Sequence, residues 1–175
     1  IIDNINKISS FSKNNMNISE WKSFKVGELF DVSRPASRSQ LNYEDGEIPF
    51  VASGNFNNGV LKYVSAKENE ALDKGNCITV SPVDGSAFYQ KDDFLGRGGA
   101  GSSIIILRND NLNEFNGLFI STVLSKVCNK YSYNNMANKD SIKSEVIKLP
   151  YKMDNPDWDY MEKYIRSLSL NNIIQ

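Results

Sequence analysis

Carboxylates occur in groups that could in principle do acid–base or metal chemistry. Glu44, Asp45 and Glu47 stand in "YEDGE", Asp92 and Asp93 in "KDD", and Asp154, Asp157, Asp159 and Glu162 in "DNPDWDYMEK". Each group falls in a polar loop or at the start of a helical pattern, where acidic side chains are solvated or complement the positive end of the helix dipole. The nuclease arrangement of a carboxylate followed by an acidic-x-Lys triplet is missed, because Glu162 and Lys163 are adjacent. "NPDW" at 155–158 holds only the first half of the Asn-Pro-Pro-aromatic signature of an amino-methyltransferase. Histidine is absent, which removes His general bases, Ser-His-Asp and Cys-His nucleophile systems and His metal ligands. Cys77 and Cys128 each lie in an apolar run and are expected as buried thiols in a reducing compartment. Two distant cysteines make no zinc site unaided. No catalytic residue, metal or cofactor is expected.

A different inventory recurs in the loops. "SRPASRSQ" carries Arg34 and Arg38, "SGNFNNG" carries Ser53, Asn55, Phe56, Asn57 and Asn58, and "CNKYSYNNMANK" carries Lys130, Tyr131, Tyr133, Asn134 and Lys139. Arg and Lys suit guanine edges and phosphates, Asn pairs bidentately with adenine, and Ser bonds the backbone of a duplex. Lys62, Asp84 and Ser86 belong to the same candidate set, Asp84 as an acceptor for cytosine N4 or as a turn former. "GRGGAG" at 96–101 matches no phosphate-binding fingerprint and precedes a strand where such a fingerprint must follow one. It reads as a turn with positive φ or as a loop presenting Arg97 to DNA. Phe56 reads as a loop anchor or a base wedge, and of Tyr131 and Tyr133 one is expected in the core and the other exposed. Taken singly, each of these residues fits an ordinary solvated turn; the set together describes a surface that reads a duplex. The formal charge of −1 supplies no global attraction to nucleic acid, so such a surface needs a local basic face.

These loops must be held by elements that the spacing predicts. The chain of 175 residues fits one domain. Residues 1–19, rich in Asn and Ser, read as an arm or linker, residues 20–155 as the main body, and residues 156–175 as a C-terminal helix. Short apolar runs at 48–51 and 60–64, then "CITV", "SAFYQ" and "SSIIIL", are strand candidates bordered by Gly, Asp, Ser or Pro. Phe119, Ile120, Val123, Leu124, Val127 and Cys128 recur at three and four, predicting a helix over about 116–129. "SIKSEVIKLP" predicts a turn feeding an edge strand. Trp158, Met161, Ile165 and Leu168 form the apolar stripe of a helix over about 156–169, which packs on its own domain or on a partner. The expected fold class is α/β in the α+β sense: a curved mixed or antiparallel sheet with flanking helices. No apolar run approaches the roughly 20 residues of a membrane span, so no membrane association and a cytoplasmic location are expected.

In order and spacing, "EWKSFKVGELFDVSR", "GEIPFVASGNFNNGVLKYV", "GNCITVSPVDGSAFYQKDDF", "YSYNNMANKDSIKSEVIKLP" and "NPDWDYMEKYI" resemble the target recognition domain of type I restriction-modification specificity subunits, or the related module of fused type II enzymes. The resemblance covers most of residues 20–168. It implies a non-catalytic, sequence-specific reader of double-stranded DNA that recognises half of a bipartite target. Its implied partners are modification and restriction subunits, and a second recognition domain or a homodimer partner. It places Gly54, Gly59, Gly75, Gly85, Leu149 and Pro150 at framework positions, with the reading loops beginning at Arg34, Ser53, Pro82, Arg97 and Lys130. Trp158, Met161, Ile165 and Leu168 then support the start of a spacer or docking helix. Two alternatives stand beside this reading: a module of a fused methyltransferase or endonuclease polypeptide, and an assembly module that has lost DNA reading.

Overall fold

The computed structural model describes residues 17–99 and 101–171. The expected arm therefore falls outside the described residues except for its end, a single 3-10 turn over Ile18–Glu20 capped by Asn17. In chain order the elements are β1 (Lys22–Lys25), α1 (Val26–Leu29), β2 (Asp31–Ser33), β3 (Asp45–Val51), β4 (Val60–Val64), β5 (Cys77–Val80), β6 (Ala87–Gln90) and β7 (Leu95–Gly96). There follow β8 (Ile105–Arg108), α2 (Glu114–Cys128), α3 (Lys139–Ser144), β9 (Val146–Leu149), β10 (Tyr151–Lys152), β11 (Asn155–Pro156) and α4 (Trp158–Asn171).

A four-stranded antiparallel sheet in the order β2-β8-β5-β6 forms the centre. A three-stranded sheet, β4-β3-β7, is mixed: β3 and β4 form the expected antiparallel hairpin, while β3 runs parallel to β7. The central strands are continuous apolar runs because both faces are covered. Ile78 and Val80 of β5, with Ile105 and Leu107 of β8, join the core beneath the helices. Cys77 and Ile106 point the other way, into a second cluster with Val51, Val60, Phe94 and Ile104. A third cluster of Tyr43, Phe50, Ala52, Val64 and Leu95 fills the three-stranded sheet. The outer edge of β6 is closed by side chains, since Ser125 Oγ accepts from Ala87 N at 2.8 Å and Asn58 Nδ2 donates to the Tyr89 carbonyl at 3.1 Å. That leaves no open ladder there for another chain.

Helix α2 begins earlier than the apolar spacing indicates. Asn113 Oδ1 accepts from the backbone N–H groups of Phe115 and Asn116, and Asn116 Oδ1 accepts from Asn113 N, a reciprocal cap. Phe119, Ile120, Leu124 and Cys128 are buried along its inner face. The segment read as a turn before the edge strand contains α3, capped by Asn138 in the same manner with Ser141 as its partner. β9 pairs antiparallel with β1.

The C-terminal helix packs on its own domain. Met161 is fully buried, Trp158 meets the Phe30 ring edge-on at 6.4 Å, and Tyr164 meets Phe119 edge-on at 5.8 Å. Arg166 lies over the Phe115 ring at 3.6 Å, and Glu162 accepts from Asn113 Nδ2 at 2.6 Å. Met161 thus lies in the main core, Trp158 and Ile165 pack half-buried against it, and of the expected stripe only Leu168 is exposed.

Candidate nucleic-acid interface

The loops singled out by composition are tied to one another. Gly98 lies so close to the Ala36 carbonyl that a Cβ would overlap it, and a Cβ on Gly99 would come within 3.1 Å of Ser37 Oγ. These approaches join the loop at 34–39 to the glycine loop after β7. Ser53 Oγ donates to the Ser102 carbonyl at 2.9 Å, joining the glycine loop to the β3–β4 loop. Ser86 Oγ donates to the Gly54 carbonyl at 3.0 Å, joining that loop to the β5–β6 turn. Ala137 N donates to the Pro82 carbonyl at 2.9 Å, and Gly85, at φ +72°, passes so near the Cys128 carbonyl that no Cβ fits. These ties bring in the segment after α2. Its far end returns toward the start, where Arg34, Asn138, Lys139 and Asp140 line a shallow cleft of about 600 Å³ with Val32 and Ser33. The loops therefore form a ring, tied at four joints and meeting across this cleft at the fifth.

Within the ring the candidate residues divide into those holding it and those presented by it. Arg38 was expected as a reader and is placed otherwise. It is buried, and its guanidinium donates to Glu70 at 2.9 Å, Asp73 at 2.6 Å and the Ala71 carbonyl at 2.8 Å. Burial opposes its charge, but the hydrogen bonds and charges of Glu70 and Asp73 outweigh that and raise its pKa above the ordinary value. For Glu70, burial is likewise overcome, by hydrogen bonds from Tyr43 and Arg38, which hold its carboxyl below the usual range. Tyr43, which donates to Glu70 at 2.6 Å, is pushed up to about 12 by burial and by that bond.

Other amides, hydroxyls and charges are similarly engaged. Asn57 Nδ2 donates to the Val60 carbonyl at 3.0 Å, Asn58 Nδ2 to the Tyr89 carbonyl, and Lys62 Nζ to the Tyr43 carbonyl at 3.1 Å. Asp84 Oδ1 accepts from Ser86 N at 3.1 Å and Ser86 Oγ at 2.7 Å, the turn-forming role. Ser53 spends its hydroxyl proton on the tie above, and Ser86 shares its single proton between the Asp84 carboxylate and the Gly54 carbonyl. Buried Glu145 accepts from Lys130 Nζ at 2.8 Å and from the Tyr131 hydroxyl, so Tyr131 is the inward tyrosine and Tyr133, 78% exposed, the outward one. That hydrogen bond raises the Lys130 pKa; burial, and then the same carboxylate, raises that of Tyr131.

Arg34, Asn55, Tyr133, Asn134 and Lys139 are exposed, and Arg97 is half-buried. Their side chains make no hydrogen bond or ion pair among the described residues. The anchors Glu70, Asp73 and Glu145 escaped sequence reasoning: "KENEALD" reads as a solvated run, and Glu145 sits beside lysines and serines with nothing to mark it as buried. Among the described residues no group of His, Cys, Asp and Glu is arranged to hold a metal ion, and no helix is long and apolar enough to cross a membrane.

Comparison with known proteins agrees with this architecture. The specificity subunit S.BcgI of a type II restriction enzyme from Heyndrickxia coagulans is 29% identical over 154 residues, 83% of this chain and 42% of that protein. A crystal structure of the type I restriction-modification S subunit from M. genitalium superposes with a TM-score of 0.61 at 14% identity, covering 99% of this chain and 46% of that one. The HsdS subunit from Thermoanaerobacter tengcongensis superposes with a TM-score of 0.56 at 16% identity, covering 99% and 44%. This chain thus spans less than half the length of each. Residues 18–175 match the family of the type I restriction modification DNA specificity domain. By that match, and with a mixed α/β fold of the same architecture, the chain belongs to the type I restriction-modification DNA specificity domain family.

Proposed function

We propose that the ring of loops reads double-stranded DNA directly, and that this domain supplies one half of a bipartite target for a cytoplasmic restriction-modification complex. The carrying observation is the division of labour among the cations. Arg38, Lys62 and Lys130 are bonded within the fold, while Arg34, Arg97 and Lys139 stand on these loops with no side-chain hydrogen bond or ion pair among the described residues, Arg34 and Lys139 in one cleft. Arg34 and Lys139 line one cleft and suit phosphate contacts, and Asn55, Tyr133 and Asn134 supply groups for base edges. This local basic face offsets a near-neutral whole. Relatives more than twice as long support the half-target reading, with a second recognition domain or a second copy reading the other half. Modification and restriction subunits are the partners that the reading requires.

Selection by the chain from a randomised duplex pool at two salt concentrations tests the proposal. Enrichment of a motif of a few base pairs, weakened at the higher salt, is the expected result. Failure to enrich any motif at low salt refutes it and leaves an assembly module.

A further inference from the structure

The tip of the β3–β4 loop carries a large apolar side chain that the domain leaves open: Phe56 is 54% exposed. The segment beneath it is firmly held. Gly54 and Gly59 take the positive φ that glycine allows, at +140° and +77°, and Asn57 and Asn58 hold the left-handed region at +46° and +54°, conformations that in a non-glycine residue persist where the surroundings over-determine them. Here they do. Asn57 bonds the Val60 carbonyl, Asn58 bonds the Tyr89 carbonyl, Gln90 Nε2 donates to the Asn58 carbonyl at 2.9 Å, and Ala52 N donates to the Gly59 carbonyl at 2.9 Å. The Phe56 ring rests on Gly54, where an added Cβ would stand 3.0 Å from its Cε1. The two asparagines that follow Phe56 are thus spent inward, while the ring is propped at the surface with no polar atom to use there.

We infer that Phe56 is a specificity-determining residue that enters a base step of the bound duplex as a wedge. The inference rests on the DNA-reading proposal and deepens it. Among the apolar surfaces of a duplex, the thymine methyl and the sugars are reached from the groove, while the faces of the stacked bases are reached by partly unstacking a step, the entry that suits a ring held rigidly at a loop tip. Pyrimidine–purine steps unstack most easily, so the wedge selects for such a step without a hydrogen bond to it. Rigidity is what makes the device work: a ring on a mobile loop would fold back on the protein, whereas this one is fixed before DNA arrives.

The test uses the full chain and a duplex obtained from the selection above, with 2-aminopurine substituted at one position at a time. Binding by the parent chain is expected to brighten the probe at one step. Phe56→Ala is expected to abolish the brightening and weaken binding about tenfold, the scale of one lost aromatic–base contact, with no change in salt dependence because no phosphate contact is lost. Phe56→Leu keeps part of both effects. Gly54→Ala, which displaces the ring while leaving it in the sequence, reduces the brightening. Specific binding by the parent with no brightened position overturns the wedge alone, as does a Phe56→Ala chain that binds and brightens like the parent. If Phe56→Ala melts below the parent, the scan of the parent decides without it. Failure to bind any duplex defeats the DNA-reading proposal, and the wedge with it.

Discussion

Two arginines four residues apart in one loop should respond to substitution in opposite ways. Arg38 is buried between Glu70 and Asp73, whose side chains keep only 17% and 16% of their surface in water. Arg38→Ala leaves those carboxylates without their cation, a loss on the order of 3–5 kcal/mol for a buried pair, against a total stability of about 5–15 kcal/mol for a domain of this kind. Because the same guanidinium reaches the Ala71 carbonyl, the connection ahead of β5 loosens as well. Arg34 is exposed and bonded to nothing among the described residues. Arg34→Gln is expected to change stability by no more than about 0.5 kcal/mol and to lower the slope of log K against log salt by about 0.9, one phosphate contact. Urea denaturation gives the first quantity and fluorescence anisotropy of a labelled duplex at several salt concentrations the second. A stable Arg38→Ala variant with a reduced salt slope would refute the assignment of Arg38 to the framework. A destabilised Arg34→Gln variant with an unchanged slope would refute that of Arg34 to DNA.

Gly85→Ala combines a left-handed backbone with overlap of the Cys128 carbonyl and is expected to cost about 2 kcal/mol or more, whereas Gly101→Ala, at φ +71° with no atom within 4 Å, costs only the backbone strain of about 1 kcal/mol; the urea midpoints of the two variants check this. Burial pushes the Cys77 and Cys128 thiols up to about 12, so neither is expected to react with a thiol reagent at pH 8 until denaturant is added. Glu70 is held below its ordinary 4.5, so its contribution is complete above that pH and lost as the pH falls through the lower folded value. Tyr43 is raised from 10.0 to about 12, so its contribution is intact below pH 10 and lost as the pH rises toward 12. Urea midpoints across pH should show both limbs, with the acid limb shallower in Glu70→Gln.

The framework was legible where a pattern depends on burial alone. The apolar runs of β4, β5 and β8 and the three-and-four spacing of α2 are signals that packing enforces. Helix α3 was not, because its cap uses Ser141 where a capping box usually shows Glu or Gln, and only Ile142 of its residues is buried. The loops that carry the candidate residues were singled out as a group, yet which of their members are bonded within the fold was not legible. Arg34 and Arg38 flank the same Pro-Ala-Ser stretch in the same composition, and what separates them is a pair of carboxylates more than thirty residues away. Composition carries no information about such distant partners. The same holds for Lys130, whose anchor Glu145 lies beyond an intervening hairpin and helix.

Several ties that join the ring end on backbone carbonyls: Ser53 on Ser102, Ala137 on Pro82, and Ser86 on Gly54. A carbonyl is present whatever side chain the residue carries. Exposed positions such as Asn55, Tyr133 and Asn134 can therefore be rewritten without untying the scaffold, since none of their side chains takes part in it. A domain built this way separates the vocabulary it presents from the grammar that holds it. If these residues read DNA as proposed, new target sequences become reachable by exchanging a handful of surface residues, with the core and its ties left as they are.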